Sequence, residues 1–256
     1  MNTVLSEMDS NILLITLNRV DKHNAFDDAI LIELKTIIDK AEINPEVHVI
    51  VLKANGKNFS AGADLAWMQR MANFSEAENL ADAKILASLM FTLYSSKKPT
   101  IAMVQGKTFG GGVGLIAACD IAIASTNAEF CFSEVKLGLT PAVISPYIIK
   151  AIGERATNSL FISAELFNAK RAFDLGLVQY CVEEEELLNF TINFAKKIAE
   201  LPCEATIAAK SLVRKVSSLP INDELQSITA AIIAKQRVSS LGQNLLKKFF
   251  NKGSKK

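Results

Sequence analysis

Short apolar runs rich in β-branched residues, each followed by a longer amphipathic one, set the class of fold open to this chain. Ile12–Leu17, Val47–Leu52, Thr100–Val104 and Ile121–Ala124 read as strands bounded by turn formers. Asp28–Ala41 carries Ile30, Leu31, Leu34, Ile37 and Ile38 at helical spacing, and Glu76–Tyr94 is a second long helix. A third helix opens at Gly110–Gly112 and runs through Ala118. Strands followed by helices, unit after unit, predict an α/β protein. Beyond Glu183 the pattern changes: Glu184–Ala199, Glu204–Val216 and Ile221–Phe250 read as helices with no strand between them. We therefore expect a core over residues 1–200 and a C-terminal helical region over 201–256, punctuated by Pro202 and Pro220.

Half of the residues are apolar and 21% are charged, a globular composition. A formal net charge of +1 argues against a nucleic-acid partner, which calls for a basic face. The basic tail Lys247, Lys248, Lys252, Lys255 and Lys256 reads as a solvated end. Four cysteines (Cys119, Cys131, Cys181, Cys203) form no C-x-x-C pair and only two histidines exist, so no metal site is expected. Cys119 and Cys131 read as small buried hydrophobes. The first ten residues carry Glu7 and Asp9 and lack a signal-peptide pattern. No apolar run reaches the roughly 20 residues needed to span a bilayer. The expectation is a cytoplasmic protein without a membrane partner.

Three constellations could carry chemistry. Phe59-Ser60-Ala61-Gly62-Ala63-Asp64-Leu65 is a loop of small residues through which a ligand can approach the main chain, or else a tight packing turn. In Gly106–Leu115 three successive glycines join a strand to a helix start. Bare N–H groups and the partial positive charge of a helix start can stabilise an oxyanion; a purely structural turn is the alternative. Val113 stands where a phosphate-binding loop requires Lys-Ser/Thr. Glu134 sits in an apolar stretch that ends at Gly138 and Pro141. Burial would suit it to acid–base work, whereas a surface glutamate would pair with Lys136 or Arg155.

Together, and in this order, these segments resemble the crotonase (enoyl-CoA hydratase/isomerase) family. Leu17–Phe26 is similar to that family's early loop, and Ala172–Val178 to its late helix-to-strand turn. The resemblance implies an α/β, crotonase-like spiral of β-β-α units. It also implies C-terminal helices that drive trimers or hexamers. It implies an acyl-CoA substrate and no permanently bound cofactor. It places the oxyanion donors at the N–H groups of Ala63 and Gly111 and makes Glu134 the acid–base residue. Lys22, Ala25, Ala61, Asp64, Leu65, Gly110 and Gly114 would lie along the substrate. The family's hydratases carry a further glutamate two residues after the glycine run, where this chain has Gly114. Asp120, the nearest acid, lies about six residues on, some 9 Å at helical rise.

One carboxylate beside a polarised thioester permits hydration, dehydration or double-bond migration. The wording of the three motifs resembles a crotonase branch that includes bacterial methylglutaconyl-CoA hydratases of leucine breakdown, and it is similar to dehydratases of branched hydroxymethylglutaryl-type thioesters; this implies a hydro-lyase acting on a branched acyl-CoA such as 3-methylglutaconyl-CoA. The substrate's own carboxylate would then disfavour a second glutamate by like-charge repulsion, so Gly114→Glu is expected to weaken that activity. An isomerase, a non-catalytic acyl-CoA-binding protein and a serine hydrolase are the alternatives; for the last, neither His23 nor His48 belongs to a nucleophile motif. Trp67 and Met68 line the acyl path or pack in the core. Ser145 and Tyr147 are further acyl-pocket candidates. Phe249 and Phe250 make cofactor or subunit contacts, or lie on a buried helix face.

Overall fold

The computed structural model describes residues 2–253; Lys255 and Lys256 of the basic tail lie outside them. The chain forms two compact units, one running to Ile207 and the other starting at Ala208.

In chain order the first unit contains β1 (Val4–Asp9), β2 (Ile12–Leu17), α1 (Asp28–Ile43), β3 (Val49–Ala54), α2 (Leu65–Met71) and α3 (Glu76–Ser95). There follow β4 (Thr100–Val104), β5 (Lys107–Phe109), α4 (Gly111–Ala118), β6 (Ile121–Ser125) and β7 (Glu129–Cys131). It ends with α5 (Ser145–Ser163), β8 (Phe167–Asn168), α6 (Ala169–Leu175), β9 (Tyr180–Val182) and α7 (Glu184–Ala199). A six-stranded sheet has the order β1-β2-β3-β4-β6-β9, parallel except for β1. A three-stranded sheet has the order β5-β7-β8.

The two sheets share one repeating path. β4 leads into β5 and then α4; β6 leads into β7 and then α5. In the preceding turn β3 leads to Ser60, which bridges in parallel to Thr108 of β5, and then to α2 and α3. Each turn thus lays one segment in each sheet before its helix. This is the expected α/β spiral of β-β-α units.

Both faces of the central strands β2, β3, β4 and β6 are buried, which is why they read as apolar runs. Ile12 and Leu14 of β2, with Val49, Val51, Ile101, Met103 and Ile123, pack against Leu187 and Ala195 of α7. The intervening Leu13, Ile15, Leu17, Ile50, Leu52 and Val104 face the main core beneath α1 and α3. The period of two along a strand separates these sets. His48 packs structurally, its Nδ1 lying 3.0 Å from the Ala199 carbonyl.

Several expected boundaries move. β3 starts at Val49 because Val47 closes a turn, donating its N–H to Asn44. β1 shows no apolar alternation because it is an edge strand whose residues are mostly exposed. The 19-residue α5, which starts within the Pro141–Pro146 segment and carries Pro146 in its first turn, has no counterpart among the expected helices; Gly153 kinks it at φ +78°.

α8 (Cys203–Val216) runs across the division between the units, and the second unit contains α9 (Asp223–Val238) and α10 (Ser240–Gly253). The single helix expected over Ile221–Phe250 is two helices. Ser239 leaves the helical region at ψ 149° and then caps α10, its side chain accepting from Gly242 N–H at 3.0 Å. Phe249 and Phe250 are exposed and contact each other edge to face, so the buried helix face expected for them does not form within the chain.

Candidate active site

The loop from Ser60 to Asp64 is clamped on both flanks. On one side Ser60 accepts from Phe109 N–H at 2.9 Å. On the other, Phe26 donates to the Gly62 carbonyl and accepts from Asp64 N–H, both at 2.9 Å. In extended backbone, successive residues point their polar groups to opposite sides. With Gly62 and Asp64 facing Phe26, the N–H of Ala63 faces away from it. No group among the described residues accepts a hydrogen bond from it.

The glycine run makes the second donor. Gly110 has φ +49°, and its carbonyl accepts from Val113 N–H at 2.9 Å, starting α4. Gly111 is therefore the first residue of the helix, where N–H groups have no partner one turn earlier. Its N–H likewise finds no acceptor among the described residues.

Glu134 follows β7 at the start of a single 3₁₀ turn, Glu134–Leu137, which closes at Gly138 in the left-handed conformation. Its carboxyl lies over Gly110: a Cβ at Gly110 would stand 2.9 Å from Oε1. Only a glycine backbone leaves that space and also accepts this φ. Oε2 is buried and has no hydrogen-bond partner. Burial pushes the Glu134 carboxyl above the ordinary glutamate range, offset in part by its own backbone N–H. The surface-pair alternative is ruled out. No ion pair of the described residues involves Glu134, and Lys136 reaches the Cys131 sulfur instead.

Ala63, Gly111 and Glu134 line one cavity of about 780 Å³. Phe26 floors it beside Gly111, with its ring tip against that glycine. Trp67 and Met68 both line it, and Trp67 is also buried. One face of α3 forms a wall through Asn79, Asp82, Ala83 and Leu86. Their i, i+3, i+4, i+7 spacing was visible in the sequence, but nothing there marked it as a cavity face rather than core. Leu137, Leu139 and Ile144 close the other side.

The remaining sequence candidates lie elsewhere. Gly114 does not line the cavity; it is buried, and Ile144 Cγ2 occupies the place of a Cβ there, with Met90 Cε 3.0 Å from that point. Gly110 supports Glu134 from beneath. Lys22 and Leu65 are exposed, Ala61 is partly exposed, and Ala25 is buried. Asp64 caps α2, accepting from Ala66 and Trp67 N–H at 2.8 and 3.0 Å, and pairs with Arg19 at 3.1 Å. The Trp67 N–H, with smaller help from Arg19, holds that carboxyl below its usual range against the opposing effect of burial. Ser145 and Tyr147 are not in the lining: Ser145 donates to the Ala142 carbonyl, and Tyr147 rests edge-on against Tyr94. The Asp120 carboxylate accepts from the Thr100 N–H and hydroxyl, a strand-end clamp. His23 pairs with Asn58 at 3.1 Å, so neither histidine approaches a nucleophile. Among the described residues no cluster of His, Cys, Asp and Glu could hold a metal. No helix there is long and apolar enough to cross a membrane.

Residues 7–249 match the family model for enoyl-CoA hydratase/isomerase. The chain belongs to the enoyl-CoA hydratase/isomerase family. A solved structure from Legionella pneumophila, assigned to the enoyl-CoA hydratase/isomerases (crotonases), is 56% identical. It superposes with a TM-score of 0.95, covering 98% of this chain and 96% of that one. The crotonyl-CoA hydratase of Syntrophomonas wolfei is 34% identical over 76% of this chain and 75% of that protein. A trans-2-decenoyl-[acyl-carrier-protein] isomerase of Streptococcus mutans is 29% identical over 82% of this chain and 81% of that protein. The family accordingly includes both double-bond hydratases and isomerases.

Proposed function

We propose that this member is a hydro-lyase that adds water to, or removes it from, the double bond of an enoyl-CoA thioester. The observation that carries this is the meeting of two unspent backbone donors, at Ala63 and Gly111, with the Glu134 carboxyl, one of whose oxygens is buried and unpartnered, on one cavity. The two N–H groups hold the thioester oxygen and stabilise the enolate that forms as the β-carbon is attacked; removing one such donor costs about 3–4 kcal/mol of barrier. Glu134 takes a proton from the attacking water and returns it to the α-carbon. The coenzyme is part of the substrate and is not held between turnovers. Lys22, Ala25, Ala61, Asp64 and Leu65 are assigned to its path outside the acyl cavity, and Gly110 and Gly114 act by shaping the ground beneath Glu134 and Ile144.

The wording of the motifs favours 3-methylglutaconyl-CoA, and hence leucine breakdown. The cavity favours a neutral acyl chain: its wall carries two carboxyls, Asp82 and Glu134, and no Lys, Arg or His among the described residues. We adopt the neutral enoyl-CoA and keep the branched, anionic one as the second substrate. Isomerisation is the second reaction, favoured by the presence of one acid where shuttling a proton between two carbons requires only one. Incubation with crotonyl-CoA, 3-methylglutaconyl-CoA and a 3-enoyl-CoA separates these possibilities. Water addition to the first removes conjugated absorbance. Absorbance gained only with the third makes the protein an isomerase, and CoA binding without any turnover makes it a binding protein. We further propose a cytoplasmic trimer or hexamer. Exposed apolar side chains of the second unit, among them Ile233, Leu245, Leu246, Phe249 and Phe250, are consistent with subunit contacts.

A further inference from the structure

The wall that α3 gives the cavity is apolar except at two places, Asn79 and Asp82. Asn79 is tied back to the main chain, donating to the carbonyls of Met71 and Phe74 at 3.3 and 3.1 Å. Asp82 is different. One oxygen, Oδ1, accepts from the Trp67 indole N–H at 3.0 Å. No hydrogen bond or ion pair of the described residues uses Oδ2, and it is not among the buried unpartnered atoms. Trp67 is itself 4% exposed, so the indole is a fixed clamp that sets the orientation of the carboxylate. Asp82 thus presents a held acidic edge to a mostly apolar chamber in which Glu134 is the other acid and no cation is present among the described lining residues.

We infer that Asp82, oriented by Trp67, is a specificity-determining residue that turns away acyl chains ending in a carboxylate and directs the site to neutral acyl thioesters. This rests on the thioester assignment above and deepens it by naming the acyl class. A carboxylate brought into this chamber loses water and gains a like charge, and no cation there offsets either cost. A neutral chain meets Leu86, Leu137, Leu139 and Ile144 without that repulsion.

The test uses saturated thioesters that a hydratase does not turn over. Butyryl-CoA and glutaryl-CoA are titrated calorimetrically into wild-type protein and Asp82→Asn, an isostere that keeps an oxygen for the indole. Wild type is expected to bind butyryl-CoA at least about tenfold more tightly than glutaryl-CoA, with the ratio falling as salt rises. Asp82→Asn is expected to shrink the ratio by several fold, whatever it does to either affinity alone. Equal or tighter binding of glutaryl-CoA by wild type, a ratio unmoved by Asp82→Asn, or failure to bind either thioester overturns the inference. Loss of conjugated absorbance with crotonyl-CoA is scored separately. Its absence sinks the hydratase assignment while the binding ratio still judges Asp82, and an unmoved ratio sinks Asp82 while hydration stands.

Discussion

At Glu134 a buried, unpartnered oxygen and a raised pKa have one cause, the withdrawal of the carboxyl from water over Gly110. Two consequences follow from the sign of that shift. To act as the proposed base, Glu134 must be ionised, so kcat/KM should rise with pH along an acid limb centred above the ordinary glutamate range; Glu134→Gln should abolish the limb and lower kcat roughly 10²–10⁴-fold while CoA affinity persists. Normal turnover in that variant would move the chemistry to another residue. For stability, the native state holds the proton more tightly than the unfolded chain. Stability contributed by the protonated form is therefore present at low pH and lost as pH rises through the raised native pKa. Glu134→Gln should therefore melt higher than wild type at neutral pH, and the gain should vanish in acid. Gly114 offers a second test. The like-charge explanation for its lack of a side chain predicts that only an acidic replacement does harm. The packing predicts otherwise: Ile144 already fills the Cβ position, so Gly114→Ala should also destabilise, by about 1–3 kcal/mol for a methyl forced into a filled core. An alanine variant with wild-type melting and crotonyl-CoA turnover would restore the electrostatic explanation.

Among the elements, α2 is the one on which the site most visibly depends, because it is only seven residues long and carries Trp67 and Met68 into the cavity. A helix this short has little stability of its own. Asp64 secures it by capping its first turn and by the ion pair to Arg19. Asp64→Ala should lower stability by about 1 kcal/mol, the usual cost of losing a cap. Because the native pKa of Asp64 is depressed, its contribution is present above the unfolded carboxylate pKa and fades as pH falls through the native value. The melting-temperature gap between variant and wild type should accordingly close in acid, and a gap that does not change with pH would mean that the charge contributes nothing. α3 contributes differently. Its capping box, Ser75 with Glu78, fixes where it starts, and with that which residues form the Asn79–Leu86 face toward the cavity.

For the molecule as a whole, the second unit sets the outstanding question of assembly. α8, α9 and α10 carry no side chain that the chain itself buries, apart from those whose burial is not described. Helices of this length hold by packing an apolar face. Light scattering should therefore give the mass of three or six chains, and a monomer at micromolar concentration would refute the proposed assembly. The strands and long helices were legible in the amino-acid order because a sheet buried on both faces demands unbroken apolar runs, and its covering helices demand a 3.6 period; β2, β4, α4 and α7 stand where that rule put them. The two glycine-rich turns and Glu134, which line one cavity, were also picked out by the wording of three motifs, although no single motif sufficed. The place of Asp82, Phe26 and Ile144 on the cavity was not legible, since a residue on a helix face or at a turn has no mark that tells a cavity neighbour from a core neighbour. Local residue order settles how a segment curls and which face is apolar, because those depend on near neighbours along the chain. Whether the Ala63 and Gly111 donors stay free, whether Glu134 finds a partner, and what stands opposite Gly114 depend on segments brought together from 26 to 144, and only the folded packing decides them.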